Sequence, residues 1–275
     1  MSMQLTSAGA REDPICRFPG SALPVRGPCV DLVRPYLAFL GGSETFGRFV
    51  EAPFPTLVDR ALGQSCVNLG SINAGLGAIL RDAGVMRIAA GAELTVVQIP
   101  GAQDLGNQYY RVHPRRNDRF LAPTRRLAAL YPEVDFTQFH FTKHLVTTLY
   151  RQSPARFAPV LDELRALWID RMEQLLGTLG GRVLLLWLQY DDRRPQDDAP
   201  LGPDPLLVSR AMIDRIRPDA RGLVEVPVVP AGRRVGETAR MAFGPLQALA
   251  AEHLPGPSMH RRIAARLSEA IRTLD

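Results

Sequence analysis

"YLAFLGGSETFGRFVE", residues 36–51, decides how the chain is read. The apolar run Tyr36–Leu40 stops at two glycines, Gly41 and Gly42. A serine, Ser43, follows, and then an amphipathic segment containing a third glycine, Gly47. A short, continuously apolar run closed by glycine is what a parallel strand covered on both faces should look like. The stretch therefore reads as strand, tight turn, helix, with one serine on the corner.

The same pattern recurs outward from this point. Ser65–Leu69, Leu94–Ile99, Arg182–Leu188 and Leu223–Val229 are further short apolar runs bounded by Gly, Pro or charge. Helical periodicity falls at roughly 45–62, 74–83, 123–130, 137–150, 156–179, 204–217, 236–252 and 257–273. Alternating strands and helices predict an α/β fold, three layers deep, with a mostly parallel five-stranded sheet. Residues 1–34 are rich in Pro, Gly and Arg without a sustained period and read as an irregular arm. The domain proper is expected at 35–275, with a polar, aromatic and basic helical insert at about 105–155 near the carboxyl ends of the strands. "YDDRRPQDDAPLGPDP", residues 190–205, reads as a Pro/Asp-rich loop.

Composition narrows the class. The chain has 275 residues, 46% hydrophobic and 22% charged, which is ordinary globular usage. The formal charge of +5 is carried almost wholly by arginine, with Lys143 the single lysine. That excess slightly favours anionic partners but is too weak to imply nucleic acid. Three cysteines, Cys16, Cys29 and Cys66, include no C-x-x-C pair, which points to a reducing compartment and no zinc site. A bridge between Cys16 and Cys29 stays open on sequence grounds. The N-terminus has no apolar signal core, and "VLLLWLQY", residues 183–190, is too short to span a bilayer. The expected setting is cytoplasmic and off the membrane, with no cofactor.

In an open parallel sheet, ligands bind beyond the carboxyl ends of the strands, which is where Ser43 falls. Taken alone, Ser43 also reads as an ordinary helix N-cap. Four blocks in order say more. "GGSETFG" (41–47) is followed by "VNLGSINAG" (67–75), with Asn68 and Gly70; then by "VVQIPGAQDLGN" (96–107), with Gln103 and Asp104. Last comes "ALAAEHLPGPSMHRRIAARLSEAI", with His253 and His260. This series resembles the blocks of the SGNH (GDSL-like) hydrolases, and the resemblance implies an SGNH/flavodoxin-like fold. The chain departs from the family pattern at Gly42, where the family has aspartate, at Gln103, where it has asparagine, and at Ala250, where it has the acidic triad member.

The resemblance implies Ser43 as nucleophile, with His253 or His260 as the base that takes its proton; His253 matches the family block better by its following Leu-Pro. It implies an oxyanion hole from the Ser43 and Gly70 N–H groups and the Gln103 side chain, with Asn107 as a second candidate donor. In place of an acid at position 250, a backbone carbonyl or a distant carboxylate such as Asp191 or Asp192 would have to orient the imidazole. Glu252 is next to His253, but neighbours in a helix do not share a face.

Two further clusters lie in the insert. "YYRVHPRRNDRF", residues 109–120, offers His113, Arg115, Arg116 and Asn117 as a site for an anionic or carbohydrate ligand, since guanidinium forks suit oxyanions and aromatic faces stack on sugars. A solvated loop is the plainer reading. "DFTQFHFTKH" spaces His140 and His144 at i, i+4, a metal-ligand spacing on one helical face, but a third ligand is missing, so no metal is expected. The sequence thus supports a serine-dependent hydrolase or acyl transferase acting on an ester, such as an acylated or anionic carbohydrate. The alternative is an inactive relative that binds an anionic sugar, phosphate or sulfate through the basic insert. A nucleotide- or sulfate-donor transferase lacks its usual glycine-rich phosphate loops. Oligomeric state is not readable.

Overall fold

The structure, a computed structural model, describes residues 13–33, 35–190 and 201–274. Nine strands and ten helices run in the order β1 (Ile15–Cys16), β2 (Val25–Arg26), β3 (Leu37–Gly41), α1 (Ser43–Phe46), α2 (Phe54–Leu62), β4 (Cys66–Gly70), α3 (Leu76–Arg81), α4 (Ala83–Gly91) and β5 (Leu94–Gln98) among the described residues. There follow β6 (Tyr110–Val112), β7 (Phe120–Pro123), α5 (Arg125–Leu130), α6 (Thr142–Gln152), α7 (Pro154–Thr178), β8 (Val183–Tyr190), α8 (Arg210–Ile216), β9 (Gly222–Val228), α9 (Ala248–His253) and α10 (Pro257–Arg272).

Five strands make the central sheet, in the order β4-β3-β5-β8-β9, every pair parallel. Renumbered within the sheet this is 2-1-3-4-5, the flavodoxin-like winding, so the expected three-layer α/β class and all five strand positions hold. Alternation along β3 explains the layers. Ala38 and Leu40 face a core built with α3, α4, α7 and α8, while Leu37 and Phe39 face a second core built with α2 and α10. Every residue of β3 is buried, as a strand covered on both sides requires. On α10, Met259, Ile263, Leu267 and Ile271 are buried at i, i+4 steps, one stripe against the sheet.

Three expectations change. The helix expected at 45–62 is two, α1 and α2. Gly47 takes a left-handed backbone (φ 72°) that ends α1, and Pro53 is the cap from which α2 starts. The helix expected at 236–252 survives only as α9, because Gly236, Gly244 and Pro245 break the segment into single turns. α4 was not anticipated. Gly84, Val85, Met86, Ile88 and Ala89 bury it on several sides, so no clear apolar stripe marks it.

The arm is tied down. β1 pairs antiparallel with β2, and Cys16 and Cys29 form a disulfide with Cα atoms 5.1 Å apart. This bridge runs against the reducing compartment expected from the cysteine count. Cys66 is free and buried. Among the described residues no helix is long and apolar enough to cross a membrane.

Candidate active site

The corner after β3 is shaped by two glycines paired across β3 and β4, Gly41 and Gly70. A Cβ on Gly70 would sit 2.2 Å from the Phe46 amide nitrogen, and one on Gly41 would sit 2.1 Å from Thr45 Oγ1. Both positions must therefore be bare for α1 to settle on the sheet ends. Asn68 locks that arrangement, its Nδ2 donating to the Thr45 carbonyl (2.8 Å) and its Oδ1 accepting from the Gly70 N–H (2.9 Å). The Gly70 amide is thus occupied, which argues against the oxyanion role expected of it.

Ser43 opens α1 on the wall of a cavity of about 700 Å³. Residues at or just beyond the carboxyl ends of all five strands reach this cavity, among them Asn73, Pro100, Tyr190 and Pro230. The Ser43 hydroxyl donates to Asn73 Oδ1 (3.1 Å), and the Asn73 N–H donates back to Ser43 Oγ (3.1 Å). Asn73 itself sits at φ 59°, a left-handed position that asparagine tolerates better than most residues. Sequence reasoning passed over Asn73, although an asparagine in "GSINAG" beside turn glycines was a usable signal.

The two late histidines separate cleanly. His253 ends α9 and lines the cavity with Ser43. Its Nδ1 lies 2.7 Å from the Leu249 carbonyl. A carbonyl only accepts, so Nδ1 carries the proton and the neutral ring keeps Nε2 as its basic nitrogen. His260 is 1% exposed and lies in the core, outside the cavity lining. Its Nδ1 accepts from the Phe54 N–H (3.0 Å), and its ring stacks on Phe54 with centroids 5.7 Å apart. Burial, with Arg26 adding to it, pushes its pKa down to about 3. His260 is therefore a neutral structural group, and its candidacy as the base is corrected. Ala250 lines the cavity without supplying an acid. Asp191 and Asp192 lie outside the described residues.

Gln103 also lines the cavity, 9% exposed, with its Oε1 buried and unpartnered. Asn107 does not line it. Its Oδ1 accepts from the Tyr109 and Tyr110 N–H groups (2.7 and 3.1 Å) and its Nδ2 donates to the Leu105 carbonyl (2.8 Å), a closed local turn. The basic cluster is likewise displaced. Asn117 is fully buried and its Oδ1 accepts from the Gly75 and Ala78 N–H groups (3.2 and 2.8 Å), capping α3 from a distance. His113 Nδ1 accepts from the Arg115 and Arg116 N–H groups (3.3 and 3.2 Å), which shapes the turn. Arg115 and Arg116 are exposed, and none of these four residues lines the cavity. His140 precedes α6 and His144 lies within it, so they do not share a helical face; among the described residues no group of three or more His, Cys, Asp or Glu is placed for a metal.

Instead, the polar wall holds carboxylates. Glu44 accepts from Gln98 Nε2 (3.0 Å) and the Tyr190 hydroxyl (3.3 Å). Asp104 accepts from Thr142 Oγ1 (2.5 Å). Burial pushes the Asp104 pKa up to about 7; the Thr142 bond opposes the rise, and the charges of Asp118, Asp204 and Glu44 add to it. A smaller hollow of about 450 Å³, between Glu173, Gly181 and Arg221, opens at the amino ends of β8 and β9, the wrong end of a parallel sheet for a site.

Chemically, the cavity brings together a serine hydroxyl, a tautomer-fixed imidazole and a buried amide. Solved structures similar to this chain include a carbohydrate esterase family 2 enzyme with a carbohydrate-binding domain from Corynascus thermopiles (Myceliophthora fergusii). It is 12% identical, with a TM-score of 0.43, over 90% of this chain and 69% of that one. A lipase/acylhydrolase from Enterococcus faecalis is 10% identical, with a TM-score of 0.44, over 87% of this chain and 96% of that one. A family two carbohydrate esterase from Clostridium thermocellum, in complex with cellohexaose, is 12% identical, with a TM-score of 0.43, over 91% of this chain and 67% of that one. No curated protein matches the sequence. One family does match from end to end, covering with residues 1–275 both the serine corner and the histidine helix, so the chain belongs to the family described as Domain of unknown function (DUF6473).

Proposed function

We propose that the protein is a serine-dependent ester hydrolase or acyl transferase. The observation that carries this reading is the meeting of Ser43 and His253 on one cavity, with the His253 Nδ1 held by the Leu249 carbonyl. In the reaction Ser43 Oγ attacks the ester carbonyl carbon and passes its proton to His253 Nε2. The same nitrogen then gives the proton to the departing alkoxide. Water, or an acceptor alcohol in a transferase, repeats the steps in reverse on the acyl-serine. The Ser43 N–H and the Gln103 amide are the donors assigned to the oxyanion.

In the resting state the Ser43 hydroxyl bonds to Asn73, so substrate must turn it toward the imidazole. The carbonyl partner fixes the His253 tautomer but brings no full negative charge to steady the imidazolium, which argues for modest turnover. Hydroxyl-rich alcohols suit the carboxylate wall, because Glu44, Asp104 and Asp118 all present acceptors to the cavity. An acylated carbohydrate is the substrate class assigned on that ground.

A fluorophosphonate probe tests the reading. Wild-type protein labels at Ser43, Ser43→Ala does not label, and an acetylated-sugar panel shows ester cleavage that Ser43→Ala abolishes. A folded wild type that never labels and cleaves nothing ends the proposal.

A further inference from the structure

Arg48 lies on the wall of the cavity that holds Ser43 and is half-buried. Among the described residues no hydrogen-bond acceptor meets its guanidinium, which stacks instead over the Phe49 ring at 4.6 Å. Of the carboxylates that line the cavity, Asp118 keeps a buried, unpartnered Oδ1 and acts on Arg48 through its charge without a hydrogen bond to it, and the other three are provided for. Glu44 has Gln98 and Tyr190, Asp104 has Thr142, and Asp204 has Lys143 at 2.6 Å. A guanidinium drawn partly out of water with its donor fork unused is an open demand for an oxyanion.

The chain also anchors the Arg48 backbone to that of Ser43. The Arg48 N–H donates to the carbonyl of Ser43 itself (3.2 Å). The next residue, Phe49, is buried with φ at 70°, a strained left-handed conformation for a side chain of that size. That strain is held from the arm. Buried Arg26 donates to the Gly47 carbonyl (2.9 Å) and the Val50 carbonyl (2.9 Å), and Asp13 Oδ2 accepts from the Phe49 N–H (3.2 Å). Strain retained beside a nucleophile, and braced from two sides, is a sign of a positioned functional group.

We propose that Arg48 is the specificity residue for a substrate carboxylate, held by the guanidinium beside Ser43; this rests on the esterase reading above and names the substrate as an acyl ester of an acidic sugar. The planar fork matches a carboxylate with two parallel bonds. A phosphate dianion is disfavoured, because the Glu44 carboxylate lines the same cavity and would repel it about twice as strongly as a monoanion. Burial lowers the Arg48 pKa, Asp13 and Asp118 raise it and Arg116 lowers it, so a bound carboxylate supplies the compensation that burial makes wanting.

The test is titration calorimetry and thermal shift with glucuronate, glucose and glucose 6-phosphate on wild type, Arg48→Gln and Arg48→Lys. Wild type should bind glucuronate at least about tenfold more tightly than either of the others. Arg48→Gln should lose that preference, and Arg48→Lys, which keeps the charge without the fork, should lose most of it. Equal binding of glucuronate and glucose, no saturable glucuronate binding, or an unchanged preference in both variants overturns the proposal. Should Arg48→Gln fail to fold, as judged by near-UV circular dichroism, Arg48→Lys decides. Fluorophosphonate labelling of the same samples separates the two readings. Labelling without glucuronate preference sinks only the Arg48 assignment, whereas Arg48-dependent binding without labelling sinks only the hydrolase.

Discussion

His253 and His260 carry the same side chain into opposite environments, and the difference lies in which ring nitrogen is engaged and by what. At His253 a carbonyl takes the Nδ1 proton and leaves the basic nitrogen to the cavity. At His260 an N–H takes the Nδ1 lone pair inside the core. His253→Gln should therefore lower the rate of ester cleavage by about 10³–10⁴-fold with little effect on folding, measured as kcat/KM beside a thermal melt. His260→Phe should do the reverse. It keeps the stacking on Phe54 but orphans the Phe54 N–H, at about 1–3 kcal/mol of stability. The pH dependence separates them again. The folded pKa of His260 is depressed to about 3, below the ordinary unfolded value, so its contribution is present above pH 6.5 and is lost as pH falls toward 3. Wild type should then lose stability to urea between pH 6.5 and pH 4 more steeply than His260→Phe; equal slopes would show that this imidazole does not govern acid sensitivity. Sequence favoured His253 only through its following Leu-Pro, because what tells the two apart is the tertiary partner of each ring nitrogen, which no local pattern shows.

The platform under Ser43 is an element-scale device, α1 seated on β3 and β4 through two bare glycines. Gly70→Ala should force α1 off the sheet, since the added Cβ meets backbone at Phe46 and not the pliable end of a side chain. The expected result is a fall of more than tenfold in Ser43 labelling by fluorophosphonate, with the far-UV spectrum of wild type retained. Gly63→Ala is the control. Gly63 has φ 65° but nothing within reach of a Cβ, so the same kind of change there should cost only about 1 kcal/mol and leave labelling intact. Strands of this sheet were legible because burial on both faces removes most polar residues and leaves apolar runs such as the VLLLWL that opens β8. Helices were legible where one face met solvent, as in α10, and illegible where burial erased the stripe, as in α4. The serine corner was legible as a local motif. Gln103 was found through the resemblance of the block after the third strand, whereas Asn73, Glu44 and Gln98 became site residues only through the pairing of strands distant in sequence.

At the scale of the whole molecule, the sheet places its site by topology, and the arm then reaches around to hold the loop that follows the nucleophile. Arg26 and Asp13 grip Gly47, Phe49 and Val50, and the Cys16–Cys29 bridge closes the loop from which Arg26 projects. Sequence could not assign this, since a sparse, odd cysteine set has no pairing signature and the arm has no period of its own. The bridge spans a sequence separation of 13. Closing a loop of that size removes enough unfolded-state entropy to contribute about 3 kcal/mol. Because the same arm braces the Arg48 turn, loosening it should be felt at the site as well as in the melt. Reduction with a phosphine, or the double variant Cys16→Ser with Cys29→Ser, should lower Tm by roughly 5–10 °C and slow labelling of Ser43. Cys66 is buried, and burial, with the Asp59 charge adding to it, pushes its thiol pKa well up, so it should stay unreactive to iodoacetamide in the reduced protein at neutral pH and mass spectrometry should find label only on Cys16 and Cys29. An unchanged Tm after full reduction would mean that Arg26 and Asp13 hold the arm without the bridge.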